Sequence, residues 1–386
     1  MEDHRPDEES RGFAQLGAPR PVPMETFEPD LAPAWAHNTN VTVLADQEMP
    51  PIFLMRQEGA TEAYARADNW RRIQIDHRGP EWGDVLQAVV FPAVAHHTFA
   101  PPATEPQYVA IKRLNKHRVG EYLARGGEEN PYKEICRMRE LGDNQHVLQC
   151  RDALEDDTYL YIVTNWGSGT LVDVIHWGST EPMDRERARQ IFVQILQILS
   201  YLLKHRMAHR DLSPDNFLFL TDDNLVVFDL ALSHRLPVDQ DHQRTLAHPI
   251  GNFGTHAYMA PEMYMNRIFD GAHGDLWSAS VILYNLLTNQ PLYRRPRPDD
   301  LFFRYNIMAR ALARQPVNER TVEVLQGLQQ LPNGHAMLQE LMHRAMVHLG
   351  LPWEATELLE HLLQPAPQHR WSLAQARNSA FVRGVP

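Results

Sequence analysis

Residues 186–204 are apolar on nearly every side (Ile191, Phe192, Val193, Ile195, Leu196, Ile198, Leu199, Leu202, Leu203), and the run passes within a few residues into the polar His209-Arg-Asp. A run of that length and pattern predicts a helix buried inside a large lobe. The chain must therefore fold so that a polar loop rests on a rigid helical support. That loop, residues 208–218, carries Asp211 and, five residues on, the carboxamide Asn216; Asp229 follows eighteen after Asp211, inside Val226-Val-Phe-Asp-Leu-Ala-Leu. A carboxylate able to orient a hydroxyl, near oxygens able to hold a hard cation, is what phosphoryl transfer asks of a protein.

Composition narrows the alternatives. With 386 residues, 43% of them hydrophobic, there is material for a two-lobed core. A net charge of −12, from 37 basic and 49 acidic residues, argues against nucleic acid as a partner. The two cysteines, Cys136 and Cys150, support neither a disulfide framework nor a thiolate metal cluster, as in a reducing cytoplasm. The acidic start lacks the order of a signal peptide, and no run is long and apolar enough to span a membrane, so a soluble, cytoplasmic protein with no membrane partner is expected. Residues 1–35 are too polar and Pro-rich to offset the entropy of ordering. Residues 41–66 contain short apolar runs, and residues 1–66 together are expected to form a disordered or loosely docked extension to a domain spanning 67–386. No internal repeat is present.

Within that domain, strands are expected near 70–76 and 85–91, joined by a turn through Gly79, Pro80 and Gly83. A Pro-rich surface loop occupies 93–106, including His96 and His97. An alternating strand, Tyr108-Val-Ala-Ile-Lys-Arg-Leu, carries Lys112, and a helical stretch over 128–141 carries Glu134. Strand-like runs follow at 146–150 and 159–164, and then the turn Asn165-Trp-Gly-Ser-Gly. Far downstream, 315–352 shows helical periodicity.

Taken in order, these segments resemble the motifs of the eukaryotic-type protein kinases. Residues 209–216 are similar to the catalytic loop, Asp229 to the Asp of the metal-binding motif, and Val109-Ala-Ile-Lys112 to the nucleotide-binding lysine strand. Gly254-Thr-His-Ala-Tyr-Met-Ala-Pro-Glu resembles the end of the activation segment, Asp275-Leu-Trp-Ser the central helix of the large lobe, and Pro367-Gln-His-Arg the terminal arginine motif. The resemblance covers about 70–382 and implies an α+β, bilobal fold: a small antiparallel N-lobe sheet with one main helix (67–165) and a larger, mostly helical C-lobe (166–386) with a helical insertion near 315–352.

The resemblance also implies an ATP- and Mg2+-dependent transfer of the γ-phosphate to serine or threonine of a protein substrate. In that scheme Asp211 orients the hydroxyl, Asn216 and Asp229 hold the metal, and Lys112, kept oriented by Glu134, holds the phosphates. Gly83, Val85, Ala110, Thr164, Asn165, Trp166 and Leu218 line the nucleotide. Thr255 is expected to hydrogen-bond Asp211, Asp275 to cap the catalytic loop, Arg370 to pair with Glu262, and Arg210 to clamp a phosphate on the segment, with Thr245 a candidate phosphosite.

Three departures are visible. Pro80 stands at a glycine position of the phosphate-covering loop and donates no N–H. Ser213 replaces a lysine that touches the transferred phosphate, a deficit of about 1.5 to 3 kcal/mol. Ala231 replaces a glycine, which is expected to restrict flipping of the Asp229 segment. They motivate an alternative reading, a pseudokinase acting as scaffold or allosteric partner.

Overall fold

The computed structural model describes residues 53–54, 62–66, 73–74, 83–95, 98–99, 107–175, 177, 182–221, 223–240, 244–247, 254–303 and 351–385. The Pro80 turn, His96 and His97, and nearly all of the expected insertion at 315–352 lie outside them. Among the described residues no helix is long and apolar enough to cross a membrane.

The small lobe is built on an eight-stranded antiparallel sheet. Its main path runs β1 (Phe53–Leu54), β2 (Glu62–Arg66), β4 (Gly83–Ala95), β6 (Tyr108–Asn115), β8 (Tyr159–Asn165), β7 (Cys150–Glu155), while β3 (Ile73–Gln74) and β5 (Thr98–Phe99) both pair with β4. Residues 53–54 and 62–66, in the stretch expected to be disordered or loosely docked, are thus hydrogen-bonded into this sheet. Two helices accompany the sheet. The first, α1 (Lys116–Ala124), is capped by the Asn115 side chain, which accepts from Arg118 N. The second, α2 (Pro131–Leu141), begins three residues later than the expected 128, because Asn130 accepts from Tyr132 N and Lys133 N and proline fills the first helical position, where no N–H is needed.

Alternation along the paired strands sorts the side chains onto two faces. Direct pairing of Val85 with Lys112, Lys112 with Ile162 and Ala110 with Thr164 puts these residues on one face. On the other, Leu86, Ala88, Val90, Val109, Ile111, Leu154, Tyr161 and Val163 form a buried apolar cluster. The expected strand at 146–150 starts only at Cys150; Val147 instead makes a lone parallel bridge to Val227, tying the small lobe to the large one.

The large lobe centres on α3 (Arg185–Lys204) and α4 (Gly271–Thr288). In α3 the buried residues are Ala188, Ile191, Phe192, Ile195, Leu196, Ile198, Leu199 and Leu202, while Gln190, Gln197 and Lys204 are exposed at heptad spacing, so one polar stripe escapes the burial that the apolar run suggests. Asp184 caps this helix by accepting from Arg187 N. α4 is buried along nearly its whole length, as a helix at the middle of a lobe must be. Its Trp277 is fully buried, donates to Tyr293 Oη at 2.6 Å and lies under the Arg370 guanidinium at 4.7 Å. Arg370 in turn forks onto Glu262 at 2.8 and 3.1 Å, the pairing expected from the sequence.

Candidate active site

The polar loop leaves α3 through β10 (Met207–Ala208) and is fixed from below by α4. Asp275, 2% exposed, accepts from His209 N at 2.6 Å and from Arg210 N at 2.8 Å. Each of those backbone donors would otherwise be buried without a partner, at a cost of roughly 1 to 3 kcal/mol. Burial raises the Asp275 carboxyl to about 6, against the pull of His209, Arg210 and the two N–H groups.

His209 fixes the loop from a second side. Its Nε2 lies 2.9 Å from Phe228 O, and a carbonyl can only accept, so Nε2 carries the proton. Nδ1 is then the acceptor for Asp211 N at 3.3 Å. Arg210 takes a left-handed φ of 70° at the bend.

Asp211 is held by three groups. Thr255 N and Thr255 Oγ1 donate to its Oδ1 at 2.7 and 2.8 Å, and Asn216 Nδ2 lies 3.3 Å from Oδ2. Thr255 reaches the loop because the preceding residue is glycine: Gly254 has φ 111°, and a Cβ there would lie 3.0 Å from Arg210 O. Asn216 Nδ2 also donates to Asp211 O at 2.7 Å, which turns its side-chain oxygen the other way. Phe228 N donates to Asn216 O at 3.0 Å, so Asn216 and the residue after Phe228, Asp229, lie beside each other at the ends of β11 (Phe217–Thr221) and β12 (Asn224–Val227).

Asp229 takes a left-handed φ of 60° and precedes a turn of 3-10 helix over Leu230–Leu232. The positive φ therefore falls on Asp229, and Ala231, buried within the helical turn, needs no glycine in this conformation. Across the cleft, Lys112 Nζ lies 2.8 Å from Glu134 Oε2 and 3.6 Å from Asp229 Oδ1. Glu134, 4% exposed, comes from the first turn of α2, so strand, helix and large-lobe turn meet at one ammonium.

The donor set suits a small hard cation. The Asn216 side-chain oxygen and the Asp229 carboxylate are oxygen ligands of the kind Mg2+ takes when substrate phosphates and waters complete its shell. Among the described residues no group of three or more His, Cys, Asp or Glu could hold a metal by itself. Two protein ligands fit a metal that arrives with its phosphates.

The nucleotide-lining candidates are brought together in part. Val85, Ala110, Lys112 and Thr164 share one face of the sheet, Gly83 opens β4, and Asn165 and Trp166 lead out of β8. Leu218 lies in β11, paired with Thr170 of β9 (Gly169–Thr170) and packed so closely on Gly167 that a Cβ there would stand 2.5 Å from its Cγ. Ser213, at the position where the resemblance puts a lysine, is 1% exposed, so its hydroxyl is covered by protein.

Sequence reasoning missed the surroundings of Arg210. Its Nη1 donates to Leu232 O at 3.3 Å and lies 3.9 Å from Glu128, and its buried Nε has no partner among the described residues. Lys133 and His234, of β13 (His234–Arg235), face it. Burial first, and then Arg210 and Arg137, lowers Lys133 to about 8; burial, Arg210, Lys133 and Arg137 lower His234 to about 4. His234 is therefore neutral near pH 7, and the positive charge here is that of Arg210, Lys133 and Arg137, with the Glu128 carboxylate beside Arg210. The signal was positional: Lys133 adjoins Glu134, and His234 follows Asp229 by five.

Comparison with known proteins points the same way. A family model of the protein kinase domain matches residues 100–382. The chain is 27% identical over 285 residues to CBL-interacting protein kinase 28 of Oryza sativa, covering 74% of this chain and 55% of that protein. It is 36% identical over 184 residues to CBL-interacting serine/threonine-protein kinase 26 of Arabidopsis thaliana (46% and 39%), and 29% identical over 194 residues to the carbon catabolite-derepressing protein kinase of Saccharomyces cerevisiae (50% and 28%). The chain thus spans about half the length, or less, of these curated relatives.

Proposed function

The chain belongs to the protein kinase domain family, and from that premise we propose that it is an active, Mg2+-dependent serine/threonine kinase using ATP on protein substrates. One observation carries the reading: Lys112 sits between Glu134 at 2.8 Å and Asp229 at 3.6 Å, so the cation for the phosphates and the carboxylate for the metal converge.

In this mechanism Lys112 would bind the α and β phosphates, and Asn216 and Asp229 would hold Mg2+, which when bound would supply positive charge to the transferred group. Asp211, immobilised by Thr255 and Asn216, accepts the hydrogen bond of the incoming hydroxyl and aims its oxygen at the γ-phosphorus. The Thr255 hydroxyl on Asp211 favours serine and threonine acceptors. Gly83, Val85, Ala110, Thr164, Asn165, Trp166 and Leu218 enclose the base and ribose. Arg210, Lys133 and His234 receive a phosphate on the activation segment. The setting is a cytoplasmic signalling protein whose kinase-domain sheet takes in residues 53–54 and 62–66.

The test is transfer from labelled ATP to a generic serine/threonine substrate by wild type and by Asp229→Asn, with phosphoamino-acid analysis of the product. Magnesium-dependent phosphoserine or phosphothreonine from wild type alone is expected. Equal background from both proteins contradicts catalysis and leaves the scaffold reading, and phosphotyrosine contradicts the acceptor class.

A further inference from the structure

Asp84 and Arg113 make a forked ion pair on the side of the small-lobe sheet that faces away from Lys112. Arg113 Nε donates to Asp84 Oδ1 at 2.9 Å and Nη2 to Oδ2 at 2.7 Å, and the guanidinium lies 4.9 Å from the centre of the Tyr159 ring. Asp84 is 2% exposed. A carboxylate so deeply buried is tolerated only when its charge is matched and its oxygens are hydrogen-bonded, and the planar fork does both.

The position of the pair matters more than its existence. Asp84 stands directly opposite Arg113 in the β4–β6 ladder, and the next rung is Val85 opposite Lys112. A slip of one residue would carry Val85 away from Lys112 and onto the other face. At the rung before, Gly83 lies so close to β6 that a Cβ would stand 2.3 Å from Arg113 O. Close approach, fork and aromatic ring thus fix β4 on β6 at the start of the strand, just after a stretch of sequence in which Pro80 stands where the resemblance puts a glycine.

We propose that the Asp84–Arg113 pair is a positioning element for the nucleotide. It sets the register that presents Lys112 to the phosphates and holds Gly83 and Val85 against the nucleotide, and so takes over part of the task of a glycine-rich loop. This rests on the reading of the site as a nucleotide-binding cleft.

The experiment measures Kd for Mg2+-ATP by calorimetry, and Tm without ligand, for the full chain and for Asp84→Asn, Arg113→Lys and the charge-swapped double variant Asp84→Arg/Arg113→Asp. Loss of the matched charge or of the fork is expected to weaken nucleotide binding roughly tenfold, the worth of one charge-assisted hydrogen bond. KM for ATP should rise while kcat at saturation stays within about twofold, because the catalytic loop is untouched. The double variant should recover part of the affinity. Arg113→Lys, which keeps the charge, serves if Asp84→Asn does not fold. Variants that lose Tm but bind Mg2+-ATP as wild type does would show a purely structural pair and overturn the proposal. Wild type that binds no Mg2+-ATP would instead overturn the nucleotide-cleft reading, and the proposal with it.

Discussion

The catalytic loop and the strand roof above it are held by different means. In the loop, each backbone bend has a side chain assigned to it: Asp275 takes two N–H groups, His209 bridges Phe228 O and Asp211 N, and Thr255 and Asn216 fix the Asp211 carboxylate. The roof is held mainly by strand pairing, with the Asp84–Arg113 and Lys112–Glu134 pairs at its working end. A hydrogen-bond network that converges from several elements has few ways to rearrange, whereas a strand end depends on register and on a handful of side chains. Hydroxyl orientation and metal binding should therefore be the robust functions of this protein, and phosphate grip the sensitive one.

The contrast can be broken most severely at Asp211. Asp211→Asn should lower kcat by roughly a hundred- to ten-thousandfold, the range for a positioned acid–base group, while leaving Kd for Mg2+-ATP unchanged. Single-turnover rates and a nucleotide titration on the same preparation check both halves. Parallel loss of binding would mean that loop and roof are one unit.

Asp275→Ala comes next. It strands the N–H groups of His209 and Arg210, each at about 1 to 3 kcal/mol, and the denaturant midpoint should fall accordingly. Thr255→Val removes one hydrogen bond from the Asp211 carboxylate but keeps the backbone one, so kcat should drop less, within about tenfold for a loss near 1 kcal/mol. Phosphopeptide assays at saturating ATP resolve that difference.

The smallest effect at neutral pH is expected for His234→Gln. Burial, then Arg210, Lys133 and Arg137, depresses this imidazole from 6.5 to about 4, so the folded state binds fewer protons than the unfolded. Its contribution to stability is present above pH 6.5 and is lost as pH falls towards 4. Unfolding titrations of wild type and variant should agree near pH 7.5, apart from packing, and diverge on acidification, with the variant losing less. Identical pH slopes would show that His234 is not held neutral among the cations.

The sequence made the chemistry legible and the supports only partly so. Asp211, Asn216, Asp229, Lys112 and Glu134 sit in short motifs whose order and spacing survive without coordinates, and in the structure Lys112 lies on Glu134 and beside Asp229, while Asn216 lies on Asp211. Asp275 under the loop and Arg370 on Glu262 were readable for the same reason. The Asp84–Arg113 fork was not, because it depends on which residues face each other across β4 and β6. The same holds for Lys133 and His234 around Arg210, drawn from a helix and a strand far apart in sequence. The start of α2 was displaced by a local effect, the Asn130 cap and the proline at the first helical position. The left-handed angle in that segment belongs to Asp229, so this conformation places no demand for glycine on Ala231.

The contrast between loop and roof is tested most directly by the ATP dependence of the initial rate at a fixed, saturating acceptor. A sensitive roof over an intact loop predicts that the rate saturates only near the upper end of the usual KM range, about 1 mM, and that Asp84→Asn moves the midpoint without moving the plateau. Saturation at a few micromolar, with Asp84→Asn lowering the plateau instead, would contradict it.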